Sequence, residues 1–198
     1  MIIFKRIPNE EPFLKFKEYY DLAVLKRQKS IDALAISSLL KDDLTVDSRY
    51  VNLKMIDDGK LIFFSNYESR KANQFNSHNT VSALIYWNNI NIQIRIKGKI
   101  SKTTNDFNQK YFSKRDIKKN SLAISSKQSE YIKSFEEVKL NFRKSLENDD
   151  LTKCPSFWGG YAIKPFYIEF WKGDTNRCNL RTEYSLNNLS WVKRYLQP

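Results

Sequence analysis

The sequence predicts a mainly β, α+β fold: an antiparallel, barrel-like sheet with a few helices packed on its outside. Three observations carry this. Short apolar or alternating runs recur between turn residues from Ala33 to Trp171. Helical spacing is confined to a few separate segments. A length of 198 residues with 41% apolar content gives one domain, 1–198, enough material for a core.

In chain order, Met1–Glu11 reads as a loose arm. Pro12 suits a first helical turn, and Phe13, Phe16, Tyr20, Ala23 and Val24 follow at helical spacing, so a helix is expected over 12–30, ending near Gln28–Ser30. Ala33–Leu40 reads as a strand and Lys41-Asp42-Asp43 as a turn. Ser48–Met55 alternates, with Arg49, Val51, Leu53 and Met55 facing one way and Tyr50, Asn52 and Lys54 the other. Arg49 and Lys54 point apart on an ideal strand, so a strand end or a bulge is needed to bring them together. Asp57-Asp58-Gly59 is a hairpin signal, followed by a strand over Lys60–Ser65.

Ala72–Asn76 reads as a short helix with Ser69 as its N-cap. Free N–H groups at its start, with Arg70 and Lys71, form a candidate phosphate site; a capped surface helix with two solvated cations is the plainer reading. Thr80–Trp87 is an apolar strand and Asn88-Asn89 a turn. Ile90–Ile100 is the cleanest strand, with Ile90, Ile92, Ile94 and Ile96 on one face, Asn91, Gln93, Arg95 and Lys97 on the other, and room for a bulge at Gly98. Thr103 or Thr104 caps a helix running through Tyr111 to Arg115, two residues that share a helix face. Ser134–Leu146 is a further helix with Phe135, Val138 and Phe142 inward, and Glu147–Thr152 a polar link.

Trp158-Gly159-Gly160 reads as a turn, because adjacent glycines allow positive φ and close backbone approach. Tyr161–Trp171 reads as a strand with Ala162, Phe166, Ile168 and Phe170 on one face and Pro165 marking a bulge or an edge. Arg177 and Arg181 lie four apart in what reads as the next strand, on one face with Asn179 between them, within reach of one anionic ligand.

Composition narrows the functional classes. Cys154, Cys178 and the lone His78 give neither metal spacing nor a disulfide framework, which suits a reduced, cytoplasmic protein. No apolar run reaches membrane-spanning length, and no secretory leader is visible. The net charge of +12 is spread along the chain except at Lys114–Lys119, and no nucleic-acid motif accompanies it. Solvated lysines plus a few cations holding ligand phosphate account for it, so no nucleic-acid or membrane partner is expected. Dinucleotide, Walker and Ser-His-Asp patterns are missing.

The C-terminal part, 155–198, carries Trp158-Gly159-Gly160-Tyr161, then Ile168-Glu169-Phe170-Trp171-Lys172-Gly173, then Arg177-Cys178-Asn179-Leu180-Arg181, and ends Arg194-Tyr195-Leu196-Gln197-Pro198. In these motifs the chain resembles the pyridoxamine 5'-phosphate oxidase family, whose pattern is W-G-G-[YF], I-E-F-W-x-G, R-L-H-[DE]-R and an arginine-leucine-proline tail. Earlier segments extend the resemblance from about Pro12 onward. Arg49–Lys54 resembles R-x-V-x-L-K, Phe63–Lys71 resembles F-x-[TS]-N-x-x-S-R-K, and Trp87 with Gln93 and Arg95 matches the family's W…Q-[IV]-R strand. Tyr111–Arg115 resembles Y-F-x-x-R, and Ser126–Ser129 resembles S-x-Q-S.

The resemblance implies the split β-barrel that binds FMN, in a homodimer with FMN at the subunit interface. The implied reaction oxidises pyridoxamine or pyridoxine 5'-phosphate to pyridoxal 5'-phosphate, with oxygen as acceptor. Carried over residue by residue, Arg49, Lys54, Ser65, Arg70, Lys71, Gln93, Gln128, Ser129, Trp171 and Arg181 would serve the flavin. Lys54, Tyr111, Arg115 and Arg177 would serve the small phosphorylated substrate, with Arg177 nearest the reacting carbon. Two positions depart from the pattern: Asn179 replaces the family's histidine and Lys119 its serine. Asparagine keeps a hydrogen bond but carries no titratable proton. The alternatives are an oxidase or reductase of the same fold acting on another flat substrate, such as a phenazine precursor, or a non-catalytic flavin-binding protein.

Overall fold

The computed structural model describes residues 1–42 and 44–198; Asp43, in the expected Lys41-Asp42-Asp43 turn, lies outside the described residues. The elements are β1 (Ile3–Lys5), α1 (Glu11–Leu25), β2 (Ala33–Leu40), β3 (Thr45–Asn52), β4 (Met55–Asp57), β5 (Lys60–Asn66), α2 (Arg70–Ser77), β6 (Thr80–Trp87), β7 (Ile92–Lys102), α3 (Asn105–Phe112), α4 (Ile117–Ser125), α5 (Phe135–Asn148), β8 (Trp158–Lys172), β9 (Leu180–Asn187) and β10 (Ser190–Leu196). The fold is the sheet-rich α+β class that the alternation predicted.

The barrel closes through one bent run. The sheet order is β1-β4-β5-β8-β7-β6-β2-β3, with β9 and β10 added beside β8. β3 pairs with β2 and β4 with β5, yet β3 and β4 are separated only by Leu53 and Lys54. At that corner the Leu53 N–H donates to the Asp32 carbonyl and the Lys54 N–H to the Ile62 carbonyl, each at 2.8 Å. The strand ends between Arg49 and Lys54, and the two side chains take separate partners, Ser38 and Gln74 for Arg49 and Asp32 for Lys54. The Asp58-Gly59 turn that joins β4 to β5 has φ of 52° and 69°, the left-handed pair that a tight hairpin needs.

β8 is the hub. It pairs with β7 along most of its length, while on its other side β5 covers Trp158–Ile163 and β9 covers Tyr167–Lys172. Pro165, which has no N–H to donate, stands in the gap between those partners, opposite Gly98. The register shift at Lys97/Gly98 is the expected bulge. It inverts the faces: Tyr161 and Ile163 before it, and Ile168 and Phe170 after it, all enter the core, whereas Ala162 packs with Met55 and Ile62 in a separate cluster. Ala162 therefore does not share a face with Ile168 and Phe170.

Several local expectations change. The arm is not loose: β1 pairs in parallel with β4, and the Ile2 N–H donates to the Tyr20 hydroxyl at 2.9 Å. α1 stops at Leu25, burying Phe13, Phe16, Tyr19, Tyr20 and Ala23 and leaving Val24 exposed. Trp158-Gly159-Gly160 is not a turn but the start of β8, paired with Asn66, Ser65 and Phe64. A Cβ at Gly159 would stand 2.2 Å from the Tyr67 hydroxyl and 2.3 Å from Asn108 Nδ2, so glycine is required there for close packing. The helix expected through Arg115 ends at Phe112, and α4 follows with Asp116 as its cap. α5 packs on α4 through a serine seam, Ser121 Oγ donating to the Phe142 carbonyl at 2.8 Å, while Phe135 is exposed rather than inward.

Candidate functional site

Where the β3/β4 corner, β5 and the α3–α4 turn meet, a cleft of about 220 Å³ is lined by Lys54, Phe64, Ser65, Lys71, Tyr111, Arg115 and Gln128. One end is cationic. β5 ends at Asn66, and the turn that follows starts α2 at Arg70, which sets Lys71 one residue inside the helix. Lys71 Nζ donates to Ser65 Oγ and Ser69 Oγ at 3.1 Å and to Gln128 Oε1 at 2.9 Å. All three partners are neutral, and among the described residues no carboxylate forms an ion pair with Lys71. Burial, with the charge of Arg49 added, lowers the Lys71 ammonium to about 8. Arg49 donates to Ser38 Oγ and to the buried Gln74 Oε1, each at 2.6 Å, and its nearest counter-ion is the half-exposed Asp47 at 3.6 Å. Burial holds Arg49 below its ordinary value as well. Two under-compensated cations beside a helix N-terminus fit a phosphate group. Ser69 occupies the N-cap position, but its hydroxyl donates to the Asn66 carbonyl at 2.8 Å instead of capping.

The other end is aromatic. Tyr111 stacks on Phe64 with ring centroids 3.7 Å apart, and Phe64 stacks on Trp158 at 5.2 Å. The Arg115 guanidinium sits 4.9 Å over the Trp158 ring and donates to the Lys119 carbonyl at 2.9 Å. Burial raises the Tyr111 hydroxyl and lowers Arg115. A second cavity of about 230 Å³ shares Phe64, Ser65, Arg115 and Gln128 with the cleft and adds Lys119 and Leu122. Lys54 is held by Asp32 at 2.8 Å. Burial raises the Asp32 carboxyl, but the hydrogen bond and charge of Lys54 outweigh it and leave it below its ordinary value.

A second group lies on the outer face of β7, β8 and β9. Gln93 is the direct partner of Trp171, and Trp171 of Arg181, so the three form one cross-strand row. Beneath it, Glu169 Oε1 accepts from Arg181 Nε at 2.9 Å and lies 2.8 Å from Nη2. Glu169 Oε2 accepts from Arg95 at 3.0 Å and from the Tyr167 hydroxyl at 2.7 Å.

The remaining residues stand apart. Arg70 is exposed at the first position of α2. Ser129, with φ of 78°, lines a different cavity beside α5. Arg177 is exposed in the loop before β9 with φ of 63°, and Asn179 accepts there from the Asp174 N–H at 3.1 Å. Arg177 is therefore outside the strand that carries Arg181, and the shared face expected from their even spacing does not exist. Phe64, Asp32 and Gln74 were not singled out in the sequence. Phe64 lies within a matched motif, whereas Asp32 and Gln74 carried no local signal. A cavity of about 610 Å³, larger than the cleft, is bounded by α3 and the loop before β8 and contains none of the expected site residues. No helix among the described residues is long and apolar enough to cross a membrane.

Comparison with known proteins shows what the chain is similar to. Residues 24–148 match the profile described as pyridoxamine 5'-phosphate oxidase, and residues 158–198 match the pyridoxine 5'-phosphate oxidase C-terminal dimerisation region. The chain is 33% identical over 193 residues to pyridoxine/pyridoxamine 5'-phosphate oxidase 1 of Hydrogenovibrio crunogenus, covering 95% of this chain and 88% of that protein. It is 32% identical to the pyridoxine/pyridoxamine 5'-phosphate oxidase of Legionella pneumophila strain Lens, covering 96% and 89%. Among solved structures, PhzG from Burkholderia lata 383, in complex with tetrahydrophenazine-1-carboxylic acid, superposes with a TM-score of 0.91 at 26% identity, covering 96% of this chain and 94% of PhzG. A pyridoxamine 5'-phosphate oxidase-related, FMN-binding protein from Nostoc punctiforme shares the fold, with a TM-score of 0.75 at 12% identity, covering 92% and 97%.

Proposed function

The chain belongs to the pyridoxamine 5'-phosphate oxidase family, and on that premise we propose that it is an FMN-dependent oxidase converting pyridoxamine or pyridoxine 5'-phosphate to pyridoxal 5'-phosphate. The observation that carries the reading is the cleft, in which Lys71 has only neutral hydrogen-bond partners and feels the charge of Arg49 behind it, and whose walls include the Phe64–Tyr111 stack and Arg115. A flat, phosphorylated ligand matches that combination.

On this reading Arg49, Ser65, Arg70, Lys71, Gln128 and Ser129 neutralise and hydrogen-bond the FMN phosphate and its neighbouring groups. Gln93, Trp171 and Arg181 offer a polar, aromatic row for the ring system. Lys54, Tyr111 and Arg115 grip the substrate phosphate, and Arg177 approaches the reacting carbon from its loop. When bound, FMN supplies the acceptor for the electron pair and hydrogen leaving the substrate's C4' carbon, and oxygen is the final acceptor. The protein's own contribution is orientation and charge neutralisation: Arg115 fixed over Trp158 and Lys54 fixed by Asp32 present preorganised donors. One flavin-binding unit over 1–198, paired with a second copy, places ring and phosphate contacts at an interface; the match of 158–198 to a dimerisation region supports that arrangement. Cytoplasmic residence accords with the unpaired Cys154 and Cys178.

A second reading has its own support. The likeness to PhzG, with Lys119 in the second cavity and Asn179 in the β8–β9 loop, favours a same-fold enzyme acting on a carboxylated, phenazine-precursor type of substrate. The deciding experiment is an anaerobic titration of FMN-loaded protein with pyridoxamine 5'-phosphate. Bleaching of the visible band that recovers in air supports the first reading. A yellow protein that does not bleach moves the substrate to the second, and a protein that takes up no FMN overturns both.

A further inference from the structure

The Gln93–Trp171–Arg181 row rests on a carboxylate to which no role has been given. Glu169 is 1% exposed although it belongs to the outer face of β8, the face of Trp171 two residues on. Burial raises its pKa, but hydrogen bonds from Tyr167 and Arg181 and the charges of Arg95 and Arg181 outweigh that and hold it below the ordinary carboxylate value. An ionised carboxylate this deep is tolerated only when its lone pairs are matched, and here both oxygens are.

The arrangement does more than satisfy Glu169. Arg181 donates from Nε to Glu169 Oε1 and from Nη1 to the Gln197 carbonyl at 3.1 Å, and its Nη2 stands 2.8 Å from the same Glu169 oxygen as an ion-pair contact. Three contacts on one planar group fix its plane and its rotation about the stem. A guanidinium has five N–H bonds, so one remains uncommitted on each terminal nitrogen. Tyr167 and Arg95 hold the opposite carboxylate oxygen, so the carboxylate cannot turn away from Arg181.

We propose that Glu169 is a positioning residue: it aims the Arg181 guanidinium beside Trp171 so that the two uncommitted N–H groups face the flavin. This rests on the flavin reading above, and it assigns Glu169 an effect transmitted wholly through Arg181.

The test uses the full chain stripped of flavin, as the native protein and as Glu169→Gln, Arg181→Gln and the double variant. The FMN dissociation constant is read from fluorescence quenching and the thermal midpoint is taken without flavin. Glu169→Gln preserves size but withdraws one acceptor oxygen and the negative charge. Binding at least tenfold weaker is expected in each single variant, with the double variant no weaker than Arg181→Gln alone. A merely structural Glu169 would lower the midpoint and leave FMN binding within twofold, which overturns the proposal; so does a further loss when Glu169→Gln is added to Arg181→Gln. If Glu169→Gln does not fold, Tyr167→Phe, which removes one of the two holds on the carboxylate oxygen opposite Arg181, takes its place beside Arg181→Gln. FMN binding weakened in both supports the proposal, and binding within twofold of native in either overturns it. A native chain that takes up no FMN instead overturns the flavin reading itself, an outcome distinct from all of these.

Discussion

Replacing Lys71 by methionine should stabilise the ligand-free protein and cripple its affinity for a phosphorylated ligand. The ammonium is held by three neutral oxygens, and burial with the neighbouring Arg49 charge lowers it from 10.5 to about 8. Converted directly, that is about 3 kcal/mol against the charged form. Partial solvent exposure reduces the figure to about 1–2 kcal/mol. Methionine keeps the aliphatic stem and removes the charge, so the unliganded midpoint near neutral pH should rise by roughly 2–8 °C. The sign with pH is fixed. Below about 8 the lysine is charged in both folded and unfolded chains and the full cost applies; between about 8 and 10.5 the folded chain holds fewer protons than the unfolded one. Native stability should therefore climb relative to Lys71→Met across that window, and the difference should close at its top. With FMN present the order reverses, because the phosphate provides the missing negative charge; about 1.4 kcal/mol or more of binding, a tenfold factor, should be lost. The assay is thermal unfolding from pH 7 to 10.5 with and without FMN. A less stable Lys71→Met in the absence of ligand, or a gap that does not narrow with pH, refutes the reasoning.

Three further outcomes are expected. Gly159→Ala drives a methyl group into the Tyr67 hydroxyl and Asn108 amide and should cost about 3 kcal/mol, read as a lower urea midpoint with unchanged slope. Asp32→Asn should cost about 1 kcal/mol at neutral pH and raise KM for a phosphorylated substrate more than it lowers kcat, because Lys54 loses its anchor. Asp32 lies below its ordinary value of 3.8, so its contribution is present above that pH and lost as pH falls through the folded value; acid unfolding of native and variant proteins should converge there. Asn179→His combined with Lys119→Ser should raise turnover of pyridoxine 5'-phosphate, and no gain in a steady-state assay would argue against a substrate role for these two positions.

Alternation made the barrel legible. Ala33–Leu40 and Thr80–Trp87 stand as strands with the boundaries their apolar patterns suggest, and the isoleucine face of β7 is buried from Ile92 to Ile96. The cleft was readable as matched motifs: Lys54, Ser65, Lys71, Tyr111, Arg115 and Gln128 come from four separate segments yet line one space. Local signals failed where a distant partner decides conformation. A glycine pair marks both turns and tight contacts, and only Tyr67 and Asn108, far away in sequence, select the second meaning at Gly159. Even spacing implied a shared face for Arg177 and Arg181, but a left-handed residue at Arg177 places it before the strand begins. Phe135 was counted inward because it is apolar, yet α5 is backed by α4 and not by the barrel.

The position of β8 in the chain has a kinetic consequence. Leu61 in β5 must wait for Ile163, 102 residues later, and Ile92 in β7 for Lys172, 80 residues later. Until 158–172 emerges from the ribosome, two neighbouring strands present bare hydrogen-bonding edges over an apolar interior. Loop closure over such separations slows folding, and open edges invite pairing with other chains. A nascent chain stalled before residue 158 would thus be the aggregation-prone species, and slower translation just upstream of that point would lengthen the exposure.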